Sequence, residues 1–182
     1  MNNEILARAK TVRLLILDSD GVLTDGRVWV GPEGQEWLAF DRRDGEGIRR
    51  VRGAGIEVAF VSREHSEAMH KRAAKLVVVL FPDACEKAAA VRYIVREFNA
   101  GHLRPSMGEP FLPNPQVGLV EVAYMGDDEP DVEAMALVGL AIAPADAHPA
   151  ARQAAHWITR AKGGRGAVRE VCDLLCSARN SV

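Results

Sequence analysis

The sequence predicts an α/β protein with a Rossmann-like, doubly wound parallel sheet. The first observation is a series of short apolar runs that are rich in branched residues and lack alternating polarity, a pattern typical of strands buried on both faces. The second is that helix-competent stretches separate these runs, so each strand should reach a parallel neighbour through a right-handed crossover. The third is the length of 182 residues, which suits one domain, so residues 1–182 are assigned to a single unit.

The predicted elements follow the chain in order. The strands are residues 12–17, 56–61, 76–81, 119–125 and 140–143, and the helices are residues 64–75, 86–98 and 166–178. The second of these helices carries its apolar residues on one stripe, which is typical of a helix packed on a sheet. In such a sheet the ligand site lies beyond the carboxyl ends of the strands.

Two segments depart from this alternation. Residues 27–40 are predicted as a small inserted β-hairpin around the turn Gly31-Pro32-Glu33-Gly34. Residues 104–116 contain four prolines, so they are predicted as an exposed loop and not as a helix. Neither segment is large enough to form a separate cap domain.

Charge and hydropathy exclude several function classes. Lys and Arg number 23 against 25 Asp and Glu, a formal charge of -2, which argues against binding of a nucleic acid or an anionic membrane. The apolar runs are too short to span a bilayer, and the first residues lack the apolar region of a signal peptide. The sequence therefore predicts a soluble, cytoplasmic protein.

Two acidic clusters end two of the predicted strands. Asp18 and Asp20 follow the first strand, and Asp127, Asp128 and Asp131 follow the strand at residues 119–125. Carboxylates crowded at the end of a buried sheet repel one another and need a cation to stay ionised. Their hard oxygen atoms suit Mg²⁺. One Asp-Gly after a strand is usually only a turn, but two such clusters favour a functional site.

The acidic segment after the first strand carries a family resemblance. Residues 18–26 read DSDGVLTDG and resemble the first motif of the haloacid dehalogenase superfamily of phosphatases, in particular the branch that acts on 3-deoxy-sugar-acid phosphates. Further matches to that branch occur in order along nearly the whole chain. They are Phe40 with Asp44-Gly45-Glu46-Gly47-Ile48, Gly126-Asp127-Asp128 with Asp131, Val138-Gly139-Leu140, and the run GGRGAVRE at residues 163–170.

The resemblance implies a Mg²⁺-dependent phosphatase that forms a phospho-aspartate. Asp18 would be the nucleophile, and Asp20 would protonate the leaving hydroxyl and later activate water. Asp18, Asp127 and the backbone carbonyl of Asp20 would hold the metal ion. Asp128 and Asp131 would hold metal-bound waters or orient the ligands.

Ser62 and Lys87 resemble the two remaining catalytic motifs. Lys87 stands ahead of a predicted helix and would neutralise the phosphoryl group and the nucleophile. Ser62 keeps the hydroxyl that can donate to a phosphoryl oxygen. The chain departs from the family at Arg63, which stands where glycine is usual and would either narrow the phosphate pocket or add a phosphate contact.

Substrate recognition is predicted from further residues. The branch that cleaves octulosonate 8-phosphate typically carries arginine at the position of Glu64, whereas the branch for nonulosonate 9-phosphates resembles this chain in Glu64 and Lys75. These two residues are three helical turns apart, so they can share a face if the helix is continuous. Thr24, Arg165 and Arg169 are further candidates for contacts to the anionic substrate.

The implied substrate is the phosphate ester of a 2-keto-3-deoxy sugar acid, used in the synthesis of cell-surface carbohydrates. It would be 3-deoxy-D-manno-octulosonate (KDO) 8-phosphate, or the 9-phosphate of the nonulosonate KDN or of N-acetylneuraminate. Similar proteins have no large cap and form tetramers through their hairpins. The resemblance therefore implies a homotetramer, with Trp29 and Trp37 marking its interface.

Two alternatives stay open. The same catalytic residues could serve another small phosphate ester, because fold and motifs do not determine specificity. A related domain could also be a non-catalytic tetramerisation module, which the altered second motif at Arg63 would fit. The joint presence of the five catalytic residues favours an enzyme. They are Asp18, Asp20, Ser62, Lys87 and Asp127.

Overall fold

Helices and strands alternate along the chain. The computed structural model describes residues 2–102 and 116–179. Its elements are α1 (Asn3–Thr11), β1 (Leu14–Asp18), β2 (Trp29–Val30), β3 (Glu36–Trp37), α2 (Arg42–Gly53), β4 (Glu57–Val61), α3 (Glu67–Leu76), β5 (Val79–Phe81), α4 (Lys87–Asn99), β6 (Val122–Met125), α5 (Val132–Leu137), β7 (Leu140–Ala143), α6 (Pro149–Ala154), β8 (Trp157–Ile158) and α7 (Ala167–Arg179).

A six-stranded sheet runs through the centre of the molecule in the order β5-β4-β1-β6-β7-β8. All neighbouring strands in it are parallel. Leu17 of β1 lies opposite Phe60 of β4 on one side and Met125 of β6 on the other. This topology confirms the predicted doubly wound α/β fold and brings the carboxyl ends of β1, β4 and β6 together.

Each face of the sheet is covered by its own apolar core. Leu15 and Leu17 of β1 point into a core that also holds residues of α1, α2 and α7. Leu14 and Ile16 point into a second core with residues of α4 and α5. Because each fully buried Leu or Ile side chain contributes roughly 1.5–3 kcal/mol, β1 is anchored firmly in the middle of the sheet.

Two predicted strands are shorter than expected. Residues 119–121 form the 3₁₀ turn Leu119–Glu121, in which the Gly118 amide donates to Glu121 Oε2 at 2.9 Å. This local hydrogen bond closes the turn, and β6 begins only at Val122. The strand predicted at residues 76–81 begins only at Val79, because α3 continues to Leu76 and Val77 adopts a left-handed conformation.

The inserted hairpin is confirmed, with Trp29 opposite Trp37 and Val30 opposite Glu36. The predicted proline-rich loop at residues 104–116 lies outside the described residues except for Gln116. None of the helices in the described ranges combines the length and the apolarity that a membrane crossing requires.

Candidate active site

The two acidic clusters meet at the carboxyl end of the sheet. Asp18 is the last residue of β1, and Asp127 comes two residues after the end of the neighbouring strand β6. A cavity of about 280 Å³ opens at this point. Its lining residues are Asp18, Asp20, Gly21, Gly26, Arg63, Glu64, Lys87, Asp127, Asp128 and Pro130.

Lys87 is a buried cation between two buried carboxylates. Its Nζ lies 2.9 Å from Asp18 Oδ1 and 2.7 Å from Asp131 Oδ1. Burial by itself would lower the pKa of Lys87, but the charges of Asp18 and Asp131 outweigh it and raise the pKa above its usual value. Lys87 therefore stays an ammonium ion at the base of the cavity, next to Asp18.

Asp131 is held from four sides. Its Oδ1 accepts from the Tyr124 hydroxyl at 2.5 Å as well as from Lys87. Its Oδ2 accepts from the backbone amides of Asp127 and Asp128, at 3.1 Å each. Gly126 is needed beside it, because a Cβ there would lie 2.4 Å from the Asp131 side chain. Asp131 thus fixes the loop that carries Asp127.

Tyr124 supports the site through Asp131, but the sequence patterns did not single it out. It is a fully buried residue of β6, and burial, with the charges of Asp131 and Asp18, raises the pKa of its hydroxyl well above the usual range. A tyrosine inside an apolar, buried strand is the sequence feature that could have predicted this role, because a buried hydroxyl nearly always has a hydrogen-bond partner.

The residues present fit a divalent cation. Oxygen atoms of Asp18, Asp127 and Asp131 lie within 4.8 Å of one another. When all three are ionised, the Lys87 ammonium leaves two negative charges unbalanced, which is the charge of one Mg²⁺. Because the oxygens of Asp131 are already engaged by protein donors, Asp18 and Asp127 are the carboxylates available as ligands.

Burial and mutual repulsion disfavour the ionised forms of Asp18 and Asp127. Burial raises the pKa of Asp18 well above its usual value; Asp131 adds to the effect and Lys87 opposes it. Burial, followed by the charge of Asp131, raises the pKa of Asp127 to about 7. A cation that binds between Asp18 and Asp127 would relieve both effects.

Asp20 lies on an irregular helical turn, Ser19–Leu23, directly after β1. Ser19 Oγ lies 3.0 Å from Asp20 Oδ2 and 3.0 Å from Ser62 Oγ, so the turn is tied to the end of β4. Gly21 has a φ of +72°, and a Cβ there would lie 1.9 Å from Asp127 Oδ2. Only glycine allows the backbone after Asp20 to lie against Asp127.

Ser62, Arg63 and Glu64 follow β4 at the same end of the sheet. The Ser62 hydroxyl is buried and accepts from the Glu64 amide at 3.1 Å. Arg63 and Glu64 are exposed side chains that line the cavity. Arg63 and Glu64 of the second motif therefore reach the cavity, whereas Ser62 lies beneath its lining and is not part of it.

Glu64 and Lys75 do not lie on one continuous helix, which was the condition for their sharing a face. Helix α3 begins only at Glu67, because Ser66 is its N-cap and accepts from the Met69 amide. The helix connects parallel strands and so runs antiparallel to them. Lys75, in its last turn, therefore lies towards the amino ends of the strands, away from the cavity that Glu64 lines.

Three other predicted substrate contacts are also absent from the cavity lining. Thr24 is fully buried, and its Oγ1 accepts from the Gly26 amide at 3.2 Å. Arg165 extends over the surface to Asp25, with 3.1 Å between Nη2 and Oδ2. Arg169 pairs with Asp173 on its own helix α7, with 2.9 Å between Nε and Oδ2. In the described structure these three side chains therefore form contacts within the protein outside the cavity lining.

Comparisons with known proteins agree with this geometry. A family model for haloacid dehalogenase-like hydrolases matches residues 111–171. The 3-deoxy-D-manno-octulosonate 8-phosphate phosphatase of Yersinia pestis is 38% identical over 181 residues, which cover 99% of this chain and 88% of the relative. The protein of the same name from Escherichia coli strain K12 is 38% identical over 180 residues, covering 98% of this chain and 87% of the relative.

Solved structures give the same result. The crystal structure of the Yersinia pestis phosphatase has a TM-score of 0.88 and 38% identity, and the match covers 99% of this chain and 89% of that one. The Moraxella catarrhalis phosphatase, solved with a magnesium ion, a phosphate ion and KDO, has a TM-score of 0.87 and 30% identity, covering 100% of this chain and 95% of that one. The chain therefore belongs to the haloacid dehalogenase-like hydrolases, and it is a phosphoric monoester hydrolase of that family.

Proposed function

We propose that this protein is a Mg²⁺-dependent phosphatase that hydrolyses KDO 8-phosphate through a phospho-aspartate intermediate. The observation that carries the proposal is the position of Asp18, which ends the central strand, lines the cavity and pairs with the buried ammonium of Lys87. The choice of substrate is supported by the relatives at 38% identity, whose names specify this ester.

The mechanism uses two carboxyl groups in different environments. A carboxylate oxygen of Asp18 attacks phosphorus, and the bond from phosphorus to the sugar oxygen breaks. Asp20 donates its proton to that leaving oxygen, so a neutral hydroxyl departs. Water then attacks the phospho-aspartate while Asp20 takes up a proton from it. Inorganic phosphate leaves and the Asp18 carboxylate is restored.

The cations of the site balance the charge on the phosphoryl group. Asp18, Asp127 and the backbone carbonyl of Asp20 would hold Mg²⁺, which when bound stabilises negative charge on the phosphoryl oxygens. Lys87 supplies a second, permanent positive charge beside Asp18. The Ser62 hydroxyl donates to the Glu64 carbonyl at 3.0 Å, so it would have to rotate away from that carbonyl to donate to a phosphoryl oxygen. Asp131 keeps Lys87 and the Asp127 loop in place.

We assign Arg63 to substrate binding. Lys87 is already paired with Asp18 and Asp131, whereas the Arg63 guanidinium is an exposed cation on the cavity lining. A guanidinium can bind a phosphoryl group or a carboxylate through two parallel hydrogen bonds. Its place next to Ser62 favours a contact to the ester or to the acid group of the sugar.

A second candidate substrate is a nonulosonate 9-phosphate. The observation in its favour is Glu64, an acceptor on the cavity lining at a position where the octulosonate branch typically carries arginine. A carboxylate there would accept hydrogen bonds from sugar hydroxyls but would repel a nearby carboxylate of the substrate.

One experiment tests both candidates. Phosphate release is measured from KDO 8-phosphate and from KDN 9-phosphate, with Mg²⁺ and with EDTA. We expect a kcat/KM of about 10⁴ M⁻¹s⁻¹ or more on the octulosonate ester, lost with EDTA and restored by excess Mg²⁺. A preference for the 9-phosphate that Glu64→Arg reverses would establish the second candidate. Folded protein that releases phosphate from neither ester would refute the proposal.

We also infer a homotetramer assembled through the inserted hairpin. Four large apolar side chains of this segment are about half exposed: Val28, Trp29, Val30 and Trp37. Light scattering should show a tetramer that Trp37→Glu dissociates. Tyr93→Glu, at an exposed aromatic residue of α4, should leave the assembly intact. A monomeric wild-type protein would exclude the inference.

A further inference from the structure

Asp44 is a buried carboxylate in the contact between α2 and α7, far from the metal ligands in sequence. Its side chain is 1% exposed. Its Oδ1 accepts from the backbone amide of Arg169 at 2.7 Å, and the Gly166 amide also stabilises the carboxylate. The first amides of a helix have no partner within the helix. Asp44 therefore caps the amino end of α7 from a different helix, where a negative charge is favourable.

The turn that leads into α7 packs on the loop after β1, backbone against backbone. The Gly164 amide donates to the Val22 carbonyl at 2.9 Å. A Cβ at Gly163 would lie 1.7 Å from the Gly21 carbonyl oxygen, and one at Gly164 would lie 2.5 Å from the Asp25 amide nitrogen. The two glycines allow an approach that no larger residue would permit.

That loop carries Asp20. Gly21 is the next residue, and its Cα faces the Asp127 carboxylate so closely that a Cβ would overlap it. A series of direct contacts thus runs from Asp44 through the start of α7 and the Gly163 turn to the backbone beside Asp20. A displacement of about 1 Å at a catalytic group can reduce the rate by about two orders of magnitude.

The folded protein disfavours the ionised form of Asp44. Burial raises its pKa to about 6, even though the amides of Arg169 and Gly166 favour the ionised form. Its Oδ2 is buried and meets no hydrogen-bond donor among the residues of the described ranges. A buried and incompletely satisfied charge of this kind calls for an explanation beyond packing.

We propose that Asp44 is a positioning residue for the proton-transfer step: by capping α7 it holds the Gly163–Gly164 turn against the loop that places Asp20. The inference rests on the proposed function, because it assumes that Asp20 protonates the leaving oxygen. Asp44 itself is not among the residues that line the cavity.

Two substrates whose leaving groups differ in their need for a proton can distinguish this positioning role from a general loss of structure. A sugar hydroxyl leaves poorly without protonation, whereas the nitrophenolate of p-nitrophenyl phosphate leaves as a stable anion. For Asp44→Ala we expect kcat/KM with KDO 8-phosphate to fall about tenfold or more, since general acid catalysis contributes at least about 10². With p-nitrophenyl phosphate we expect a loss of less than about threefold.

Matched variants complete the test. Val51→Ala shortens a buried side chain of α2 without touching the cap, and it should affect both substrates equally. Asp44→Asn keeps an acceptor oxygen for the two amides and should restore the wild-type ratio of the two kcat/KM values. If Asp44→Ala does not fold, Asp44→Ser, whose hydroxyl is too short to reach both amides, takes its place with the same expectation.

The outcomes are distinguishable from failure of the proposed function. Wild-type protein without turnover on any ester would refute that function. Wild-type turnover together with an equal loss on both substrates in the Asp44 variant would overturn the positioning role, and so would no loss on either substrate. A selective loss on the sugar ester that Asp44→Asn reverses would establish it.

Discussion

Asp18 and Asp131 come from different acidic segments and contact the same lysine, but their surroundings differ. Both are buried and both contact the Lys87 ammonium. Asp131, however, also accepts from Tyr124 and from two backbone amides, so protein donors occupy its oxygens. Asp18 lines the cavity. The set of partners, and not burial or charge, separates the structural carboxylate Asp131 from the proposed nucleophile Asp18.

The strongest test of this contrast is Asp18→Asn. Loss of the nucleophile should reduce kcat by at least about 10³-fold. The melting temperature without metal should be unchanged or higher, because burial and Asp131 make the ionised form of Asp18 unfavourable. Steady-state phosphate release and thermal unfolding measure the two effects. Residual turnover within tenfold of wild type would exclude a phospho-aspartate at Asp18.

Asp131→Asn should show the opposite balance. The NH₂ of the asparagine side chain would point at hydrogen-bond donors instead of accepting from them. Lys87 would also lose one of its two carboxylate partners. We expect the free energy of unfolding to fall by about 3 kcal/mol, as for other broken buried ion pairs. Urea unfolding of the two Asn variants side by side checks the comparison. If Asp18→Asn and Asp131→Asn were equally stable, the four hydrogen-bond donors around Asp131 would not give it a special role in stability.

The pH dependence of Mg²⁺ affinity tests whether Asp127, unlike Asp131, is a metal ligand. Because burial and Asp131 raise the pKa of Asp127 to about 7, Mg²⁺ must displace a proton below that pH. We expect the affinity to fall about tenfold per pH unit below pH 7. By the same linkage, the metal-free protein should lose stability as the pH rises from about 4 to 7, since its folded state binds more protons than the unfolded chain.

Calorimetric titration with Mg²⁺ between pH 5.5 and 7.5 measures this dependence. Asp127→Asn should bind the ion weakly and with a flatter pH profile. A constant affinity for wild-type protein across this range would contradict the assignment of Asp127 as a ligand that must lose a proton.

The smallest effect is expected for Tyr124→Phe, which removes one of the donors to Asp131. Lys87 and the two amides remain, so the loss of stability should be about 1 kcal/mol, the net value of a typical hydrogen bond. Tyr93→Phe, at an exposed tyrosine, is the matched control for urea unfolding. A destabilisation as large as that of Asp131→Asn would mean that Tyr124 is the main support of the anchor.

Helix α2 and the segment at residues 119–121 show where local pattern was insufficient. The sequence of α2, RRDGEGIRRVRG, contains three glycines and mostly charged residues, a composition that does not predict a helix. Packing favours a glycine at position 47, since a Cβ there would lie 3.1 Å from the Cys172 Cβ and 3.2 Å from the Arg169 Cα. At residues 119–121 the apolar pattern favours a strand, but the Glu121 side chain binds the Gly118 amide and closes a turn.

Five strands of the central sheet, the inserted hairpin and the two acidic clusters could be predicted from the sequence, because they depend on neighbours along the chain and on apolar runs that must be buried. The short edge strand β8 was not predicted. The folded structure was needed to show that Tyr124 supports Asp131, that Lys75 lies away from the cavity and that Asp44 caps α7. Such contacts join residues from different elements, and their partners depend on strand order and helix direction. Spacing along the chain does not carry that information.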